Sequence, residues 1–320
     1  MTIEVVKPGL LTTPQDAGRS GLAHLGIGHA GAFDVPAFRI ANALTGNAHD
    51  TCALELTLLG PTLRFHQDAR IAVTGAPLPV WIDGVERAMW SPLCIRAGQT
   101  LTLGAMRSGC RAYLAVRGGF DFEALLGSRS LDVNAALGPL GRPLRAGDVL
   151  QMRETGDGGR EVQARWSIDP RPWFDIGFPL RLLPGTHTHL LDGGSHEALF
   201  SQVFQVGNDS NRVGVRLLGV QLRLTEPVEL ISEACIAGTL QLPPSGEPIA
   251  LGVEHPVSGG YPRIGQITAV DLPRLAQVRP GDALRFAPCT LEQAQQALCE
   301  RERKLREMET LIATRLERDA

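Results

Sequence analysis

Along most of the chain, apolar residues come in runs of three to five closed off by Gly, Pro or Asp. Ile71-Ala-Val-Thr74, Val80-Trp-Ile-Asp-Gly84, Thr100-Leu-Thr-Leu-Gly104 and Ala112-Tyr-Leu-Ala-Val116 show the pattern. Runs this short, bounded by turn formers, predict β-strands, and many of them at close spacing favour a barrel or sandwich over alternating strand–helix units. One phrase recurs three times, as Arg96-Ala-Gly-Gln-Thr-Leu, Arg145-Ala-Gly-Asp-Val-Leu and Arg279-Pro-Gly-Asp-Ala-Leu. Each predicts a turn that delivers the chain into a strand, with Gly taking the positive φ.

Helical patterning is confined to a few places. Asp34 to Leu44 predicts a helix with Asp34 as N-cap and Pro36 in the first turn. Phe122–Leu126 predicts a further short turn. Near the C-terminus Thr290-Leu-Glu-Gln293 has the form of a capping box, and a helix is expected from about 291 to 317. Leu291, Ala294, Leu298, Leu305, Met308 and Ile312 form its apolar stripe. The first half of that stripe is expected to pack on the chain's own barrel.

The sequence also repeats itself. Asp16-Ala-Gly-Arg19-Ser-Gly21 returns as Asp209-Ser-Asn-Arg212-Val-Gly214, Gly60-Pro-Thr-Leu63-Arg64-Phe65 as Gly219-Val-Gln-Leu222-Arg223-Leu224, and Ile71-Ala-Val-Thr74 as Ile236-Ala-Gly-Thr239. Three matches in one order argue for two related domains. Asp, Arg and Gly are common here, so chance similarity between two β-rich halves is the competing explanation. The spacing differs between the copies: 44 residues separate Asp16 from Gly60, and 10 separate Asp209 from Gly219. The first half therefore carries an insertion at roughly 22–55. The polar, Gly-rich stretch 154–171 places the domain boundary. The expected organisation is a first barrel over 1–155, a linker over 156–171, a second barrel over 172–288 and a C-terminal helix over 289–320.

Composition narrows the function. The chain has 320 residues, 43% hydrophobic and 20% charged, with net charge −3, so no global field recruits nucleic acid or an anionic membrane. The six cysteines show no C-x-x-C pair and no metal-ligand spacing, which suits a reducing cytoplasm. Met1 to Pro8 lacks the apolar run of a signal peptide, and no stretch of 18 apolar residues exists. Lys7 and Lys304 are the only lysines among 31 basic residues. A P-loop and a Schiff-base lysine in the body of the chain are thereby excluded, so an anion would be held by arginine forks or backbone N–H groups.

The densest candidate chemistry lies between Glu233 and Asp271. Ser258-Gly-Gly-Tyr261-Pro-Arg263 can bring backbone amides and a phenol close to a ligand, because two glycines remove side-chain bulk. Arg263 would supply a carboxylate fork, and Glu233 or Glu254 an acid or base. A tight hairpin carrying a surface tyrosine accounts for the same residues.

Several of these phrases occur together in one family. They are Gln15-Asp16-x-Gly18-Arg19-x-Gly21, Glu55-x-Thr57-x-x-Gly60-Pro61, Arg111-x-Tyr113-Leu-Ala-Val-x-Gly118-Gly119 and Leu126-Gly-Ser-Arg129-Ser130. In the second half they are Arg212-x-Gly214-x-Arg216-Leu, Gly238-x-x-Gln241-x-Pro-x-x-Gly246-x-Pro248-Ile and Gly259-Gly-Tyr-Pro262. The chain resembles the biotin-dependent carboxyltransferase-like family, also called allophanate hydrolase subunit 2, from about residue 3 to 287. The bacterial stand-alone members of that family are the C subunits of ATP-dependent 5-oxoprolinase. The run from Glu254 to Tyr261 departs from the family's usual Asp-x-Gln-Thr-x-Gly-Gly-Tyr, which puts substrate specificity in question.

The resemblance implies a mainly β fold of two tandem cyclophilin-like barrels. It implies work in a cytoplasmic complex with the 5-oxoprolinase B subunit, in direct contact, and with the A subunit, opening 5-oxoproline to glutamate with ATP and Mg. No biotin attachment site is expected on this chain. An amide carbonyl is a poor electrophile, so such a protein must hold one carboxylate, neutralise charge and place a base. Glu55, Glu233 and Glu254 are the candidate bases. Arg19, Arg212 and Arg263, with Tyr261 and Gln241, are the candidate substrate contacts, and Asp16 and Asp209 are expected to brace the arginines of their signatures. His24, His29 and His255 are expected at the surface. Two other roles stay open: the carboxyltransferase component of a urea carboxylase, and a regulatory module that binds a kinase-inhibitor-like partner.

Overall fold

The computed structural model of the chain describes residues 2–154, 166–177 and 179–319. Most of the expected linker, 156–165, lies outside the described residues. The chain divides into two compact units: Met1–Arg19, Asp34–Asp175 and Lys304–Ala320 form the first, Ser20–Phe33 and Ile176–Arg303 the second. The expected insertion at 22–55 is therefore divided between the units at Asp34.

The first unit is built on two antiparallel sheets. One has six strands, in the order Val149–Gln151, Thr2–Lys7, Thr62–Phe65, Thr100–Leu103, Val80–Ile82, Val85–Arg87. The other has five, in the order Leu11–Gln15, Ala53–Thr57, Arg111–Val116, Ala69–Gly75, Leu93–Ile95. Alternate residues of both sheets meet in one core: Ile3, Val5, Leu63 and Phe65 from the first sheet, Leu54, Leu56, Ile71, Val73, Leu114 and Val116 from the second. Each such side chain removed from water contributes about 1.5–3 kcal/mol.

Ala69–Gly75 is buried at every position because its other face is also covered. The cover is helix α1, Val35–Thr45, packed on that sheet. Asp34 caps it by accepting the Ala37 N–H at 3.2 Å, Pro36 sits in the first turn, and Gly46 ends it in the left-handed region. Thr74 Oγ1 donates to the Ala37 carbonyl at 2.6 Å, and Phe38 meets Tyr113 edge-on at 5.9 Å.

In the second unit an eight-stranded sheet runs Ala283–Leu284, Phe204–Val206, Gly214–Leu218, Ile249–Leu251, Thr239–Gln241, Arg263–Ile267, Leu180–Pro184, Phe286–Pro288. Its two outermost strands are separated in the chain by Arg285 alone, so the sheet nearly closes on itself as a barrel. Leu182, Leu217, Leu240, Ile264 and Phe286 are among the side chains in its core. Helices α2, Gly193–Ser201, and α3, Leu272–Ala276, belong to the same unit, as does a two-stranded ribbon of Glu233–Ala234 with Ser258–Gly259.

The recurrent Arg-x-Gly phrase forms the same turn three times. Gly98, Gly147 and Gly281 have φ of 85°, 86° and 87°, and the next residue donates back to the carbonyl of Arg96, Arg145 or Arg279. Strands begin at Thr100, Val149 and Ala283 just beyond. The Gly219–Leu224 copy behaves differently from its first-half counterpart. Where Thr62–Phe65 is a strand, Arg223 instead gives its backbone groups to the start of α2: its N–H donates to Ser195 Oγ at 2.7 Å, and its carbonyl accepts from Asp192 N at 3.0 Å.

The last helix, α4, spans Leu291–Asp319, with the reciprocal capping bonds between Thr290 and Gln293 that the sequence predicts. The expected burial of its first half is corrected: Leu291 is exposed, and the buried positions are Leu305, Ile312 and Leu316, all in the part belonging to the first unit. There Arg39 and Glu309 form a two-bonded fork at 2.8 Å. No described helix is long and apolar enough to cross a membrane, and the six cysteines are free thiols.

Candidate functional site

In the first unit the candidate residues are tied into the structure. Asp16 accepts hydrogen bonds from the Ser128 and Ser130 hydroxyls, each at 2.6 Å, and from the Arg129 N–H at 2.5 Å. Arg19 donates to the carbonyls of Leu125, Ser130 and Leu137. Burial pulls the Arg19 guanidinium below its ordinary value, against the attraction of Asp16 and Asp132. Its Nη1 is closed to solvent and has no hydrogen-bond partner among the described residues. Asp16 thus organises the 128–130 loop rather than bracing Arg19 by a hydrogen bond.

Glu55 faces α1 from the middle of Ala53–Thr57, opposite Tyr113 in register. Its carboxylate accepts from the Tyr113 hydroxyl at 2.7 Å and lies 3.4 Å from Arg111 Nε. The same hydroxyl accepts from the Asp34 N–H at 2.7 Å. Burial first, then the charges of Glu55 and Asp34, push the Tyr113 phenol well above its ordinary value. A carboxylate at 1% exposure, held by Tyr113 and close to Arg111, is tied to the start of the helix through the Tyr113 hydroxyl.

The second unit brings two of the predicted pairs together. Arg212 Nε and Glu254 Oε1 are 2.5 Å apart, both side chains are buried, and Arg212 Nη2 also donates to the Gly31 carbonyl at 2.7 Å. Arg212 therefore takes its carboxylate from Glu254, while Asp209, the expected brace, lies exposed. Arg263 is ion-paired with Glu233, and its Nη1 donates to the Ala234 carbonyl at 3.0 Å. In this structure the Arg263 guanidinium, expected as the substrate fork, holds the Glu233–Ala234 strand of the two-stranded ribbon. Gln241 is buried and donates to Cys235 Sγ at 3.4 Å. His24 and His29 are exposed, whereas His255 is buried, contrary to expectation, and burial lowers its pKa.

Tyr261 is the one predicted contact that faces open space. It lines a cleft of about 820 Å³ on the second unit, within the size range of small-molecule sites. Three chain segments form its walls: Leu222–Leu230, Leu242–Gly246 and Gly260–Pro262. Leu242 N donates to the Pro262 carbonyl at 2.9 Å, and Leu222 N to the Gly246 carbonyl at 2.8 Å, so the walls are cross-tied. Gly246, at φ +81°, closes the Pro243–Gly246 turn; a Cβ there would stand 2.9 Å from the Leu222 carbonyl oxygen, which is why the wall needs glycine.

Arg223, Glu226 and Glu229 supply the charges of the cleft. Sequence reasoning passed over all three, although Arg223 stands in the repeated Gly219–Leu224 phrase. No group of three His, Cys, Asp or Glu side chains among the described residues is arranged for a metal ion, and the cleft lining has no lysine. These residues do not fit Mg-ATP.

Fold and cleft together define a mainly β protein of two units with an open cleft on the second. The chain belongs to the carboxyltransferase domain, subdomain A and B, family, whose description matches residues 25–288. It is 38% identical over 304 residues to the 5-oxoprolinase C subunit of Escherichia coli, covering 94% of this chain and 96% of that one. To the 5-oxoprolinase C subunit of Haemophilus influenzae it is 36% identical over 293 residues, covering 91% and 93%. The solved Kluyveromyces lactis urea carboxylase superimposes with a TM-score of 0.88 at 28% identity; the match covers 96% of this chain but spans only 29% of that one.

Proposed function

We propose that the chain is the C subunit of an ATP-dependent 5-oxoprolinase, which opens 5-oxo-L-proline to L-glutamate together with the A and B subunits. The carrying observation is the end-to-end match to proteins named as 5-oxoprolinase C subunits, 96% of the length of one of them. A cleft with one arginine, one phenol and two carboxylates suits a small carboxylic acid with polar ring atoms. This chain binds and orients the lactam, and coupling to ATP hydrolysis belongs to the assembled complex. The B subunit is the direct partner.

The second reading, a carboxyltransferase component acting on urea, is favoured by the close superposition on urea carboxylase. One assay separates them. The three purified subunits are mixed, and ADP and glutamate are followed with 5-oxoproline or with urea as substrate. Dependence on 5-oxoproline and on all three chains supports the proposal, with this chain silent alone. ATP turnover indifferent to 5-oxoproline refutes it.

A further inference from the structure

The cleft contains a cation, Arg223, whose backbone is fixed and whose head makes no hydrogen bond or ion pair among the described residues, its charge contributing only at longer range to holding the Asp192 carboxyl low. The Arg223 N–H donates to Ser195 Oγ at 2.7 Å and its carbonyl accepts from Asp192 N at 3.0 Å. Ser195 and Asp192 are in turn joined at the start of α2, where Asp192 Oδ1 accepts the Ser195 N–H at 2.6 Å. The neighbouring Thr225 N–H is held by the Leu190 carbonyl at 2.8 Å. Four backbone or capping bonds thus set the root of the side chain, while the exposed guanidinium makes no hydrogen bond or ion pair among the described residues. Arg19, Arg212 and Arg263, by contrast, are all engaged.

The lining pairs this one cation with two anions, Glu226 and Glu229, and with the Tyr261 hydroxyl, which belongs to a residue 45% exposed and bonds to no described residue. Around them the walls are apolar, including Leu222, Leu242 and Pro262. Such a lining matches a ligand with a single carboxylate and an N–H donor, since a second negative charge would meet Glu226 and Glu229 with nothing to balance it. A ligand with no charge leaves the guanidinium unused.

We propose that Arg223 is the specificity-determining residue of this cleft, forking the carboxylate of a small cyclic monocarboxylate whose ring N–H is accepted by Glu226 or Glu229. This rests on the cleft being the substrate site of the function proposed above, and it moves carboxylate selection from the tethered Arg263 to Arg223.

The test uses the full chain, alone and in the three-subunit complex, with Arg223→Ala, Arg223→Lys and, as control, Arg216→Ala on an exposed strand position. Binding to the full chain is measured by calorimetry with 5-oxoproline, with 2-pyrrolidinone, which lacks the carboxylate, and with cyclopentanecarboxylate, which lacks the N–H. A charge-assisted hydrogen bond is worth enough that Arg223→Ala should weaken 5-oxoproline and cyclopentanecarboxylate by about 10- to 100-fold. It should leave 2-pyrrolidinone unchanged, with Arg223→Lys intermediate and the thermal midpoint unaltered. In the complex the same variant raises KM for 5-oxoproline by a similar factor. Equal binding of carboxylate ligands by wild type and Arg223→Ala overturns the inference, as does wild-type protein that prefers 2-pyrrolidinone. If the complex shows no 5-oxoproline-dependent turnover but carboxylate binding still falls with Arg223→Ala, the functional reading fails and the cleft assignment stands.

Discussion

Arg212 and Glu254 meet as a buried ion pair with Nε and Oε1 2.5 Å apart and side-chain exposures of 3% and 0%. A pair so enclosed is costly to break, because either partner left alone is an uncompensated buried charge. Arg212→Ala or Glu254→Ala is expected to lower unfolding stability by about 3–5 kcal/mol, and the double variant by much less than the sum. Urea unfolding of the four proteins of that cycle measures it. Single losses under about 1 kcal/mol would contradict a structural role for the pair.

Tyr113→Phe removes one oxygen that serves two partners, the Glu55 carboxylate and the Asp34 N–H. The aromatic packing on Phe38 survives, so the loss reports the hydrogen bonds. It should come to about 2–4 kcal/mol, two buried polar groups each left short of a partner at about 1–2 kcal/mol. Hydrogen exchange at the start of α1 should accelerate in parallel, since that is where Asp34 sits.

Arg263→Lys tests whether Arg263 serves the ribbon or the substrate. Arg263 is paired with Glu233, whose side chain is 55% exposed, and such pairs contribute about 0.2–1 kcal/mol. The variant should therefore keep kcat/KM for 5-oxoproline within about fivefold of wild type in the assembled complex. A drop of about two orders of magnitude without loss of fold would return the fork to Arg263.

Acid stability should depend on Asp271. Burial by itself would raise this carboxyl, but the Arg181 fork, at 2.9 and 2.7 Å, the Arg181 N–H and the charges of Arg181 and Arg274 together hold it below the usual carboxylate range. The unfolded chain then takes up the proton at higher pH than the folded one. The stabilisation is complete above about pH 4 and is lost as pH falls further. Asp271→Asn should be less stable than wild type at about pH 7, with the two urea midpoints converging toward about pH 3. Midpoints that stay parallel across that range would show that Asp271 does not contribute.

The local grammar of the chain was legible without its fold. Short apolar runs between turn formers became strands, the Arg-x-Gly phrases became three equal turns, and Asp34 and Thr290 capped their helices, because each depends on residues within a few positions of one another. The family was legible too, because its motifs are spread in order along nearly the whole chain. Which candidate arginine was available was not. Arg19, Arg212, Arg263 and Arg223 look alike in sequence, but the first three are engaged by groups such as Ser130, Glu254 and Glu233, and the fourth is left facing a cleft. Chain segments that lie far apart in sequence decide that difference. Arg212 and Glu254 are 42 positions apart, and Arg223 is held by a helix start 28 positions away. The sequence set the inventory of charges and the turns that carry them; tertiary packing decided which charges were neutralised in the interior and that Arg223 lines the cleft.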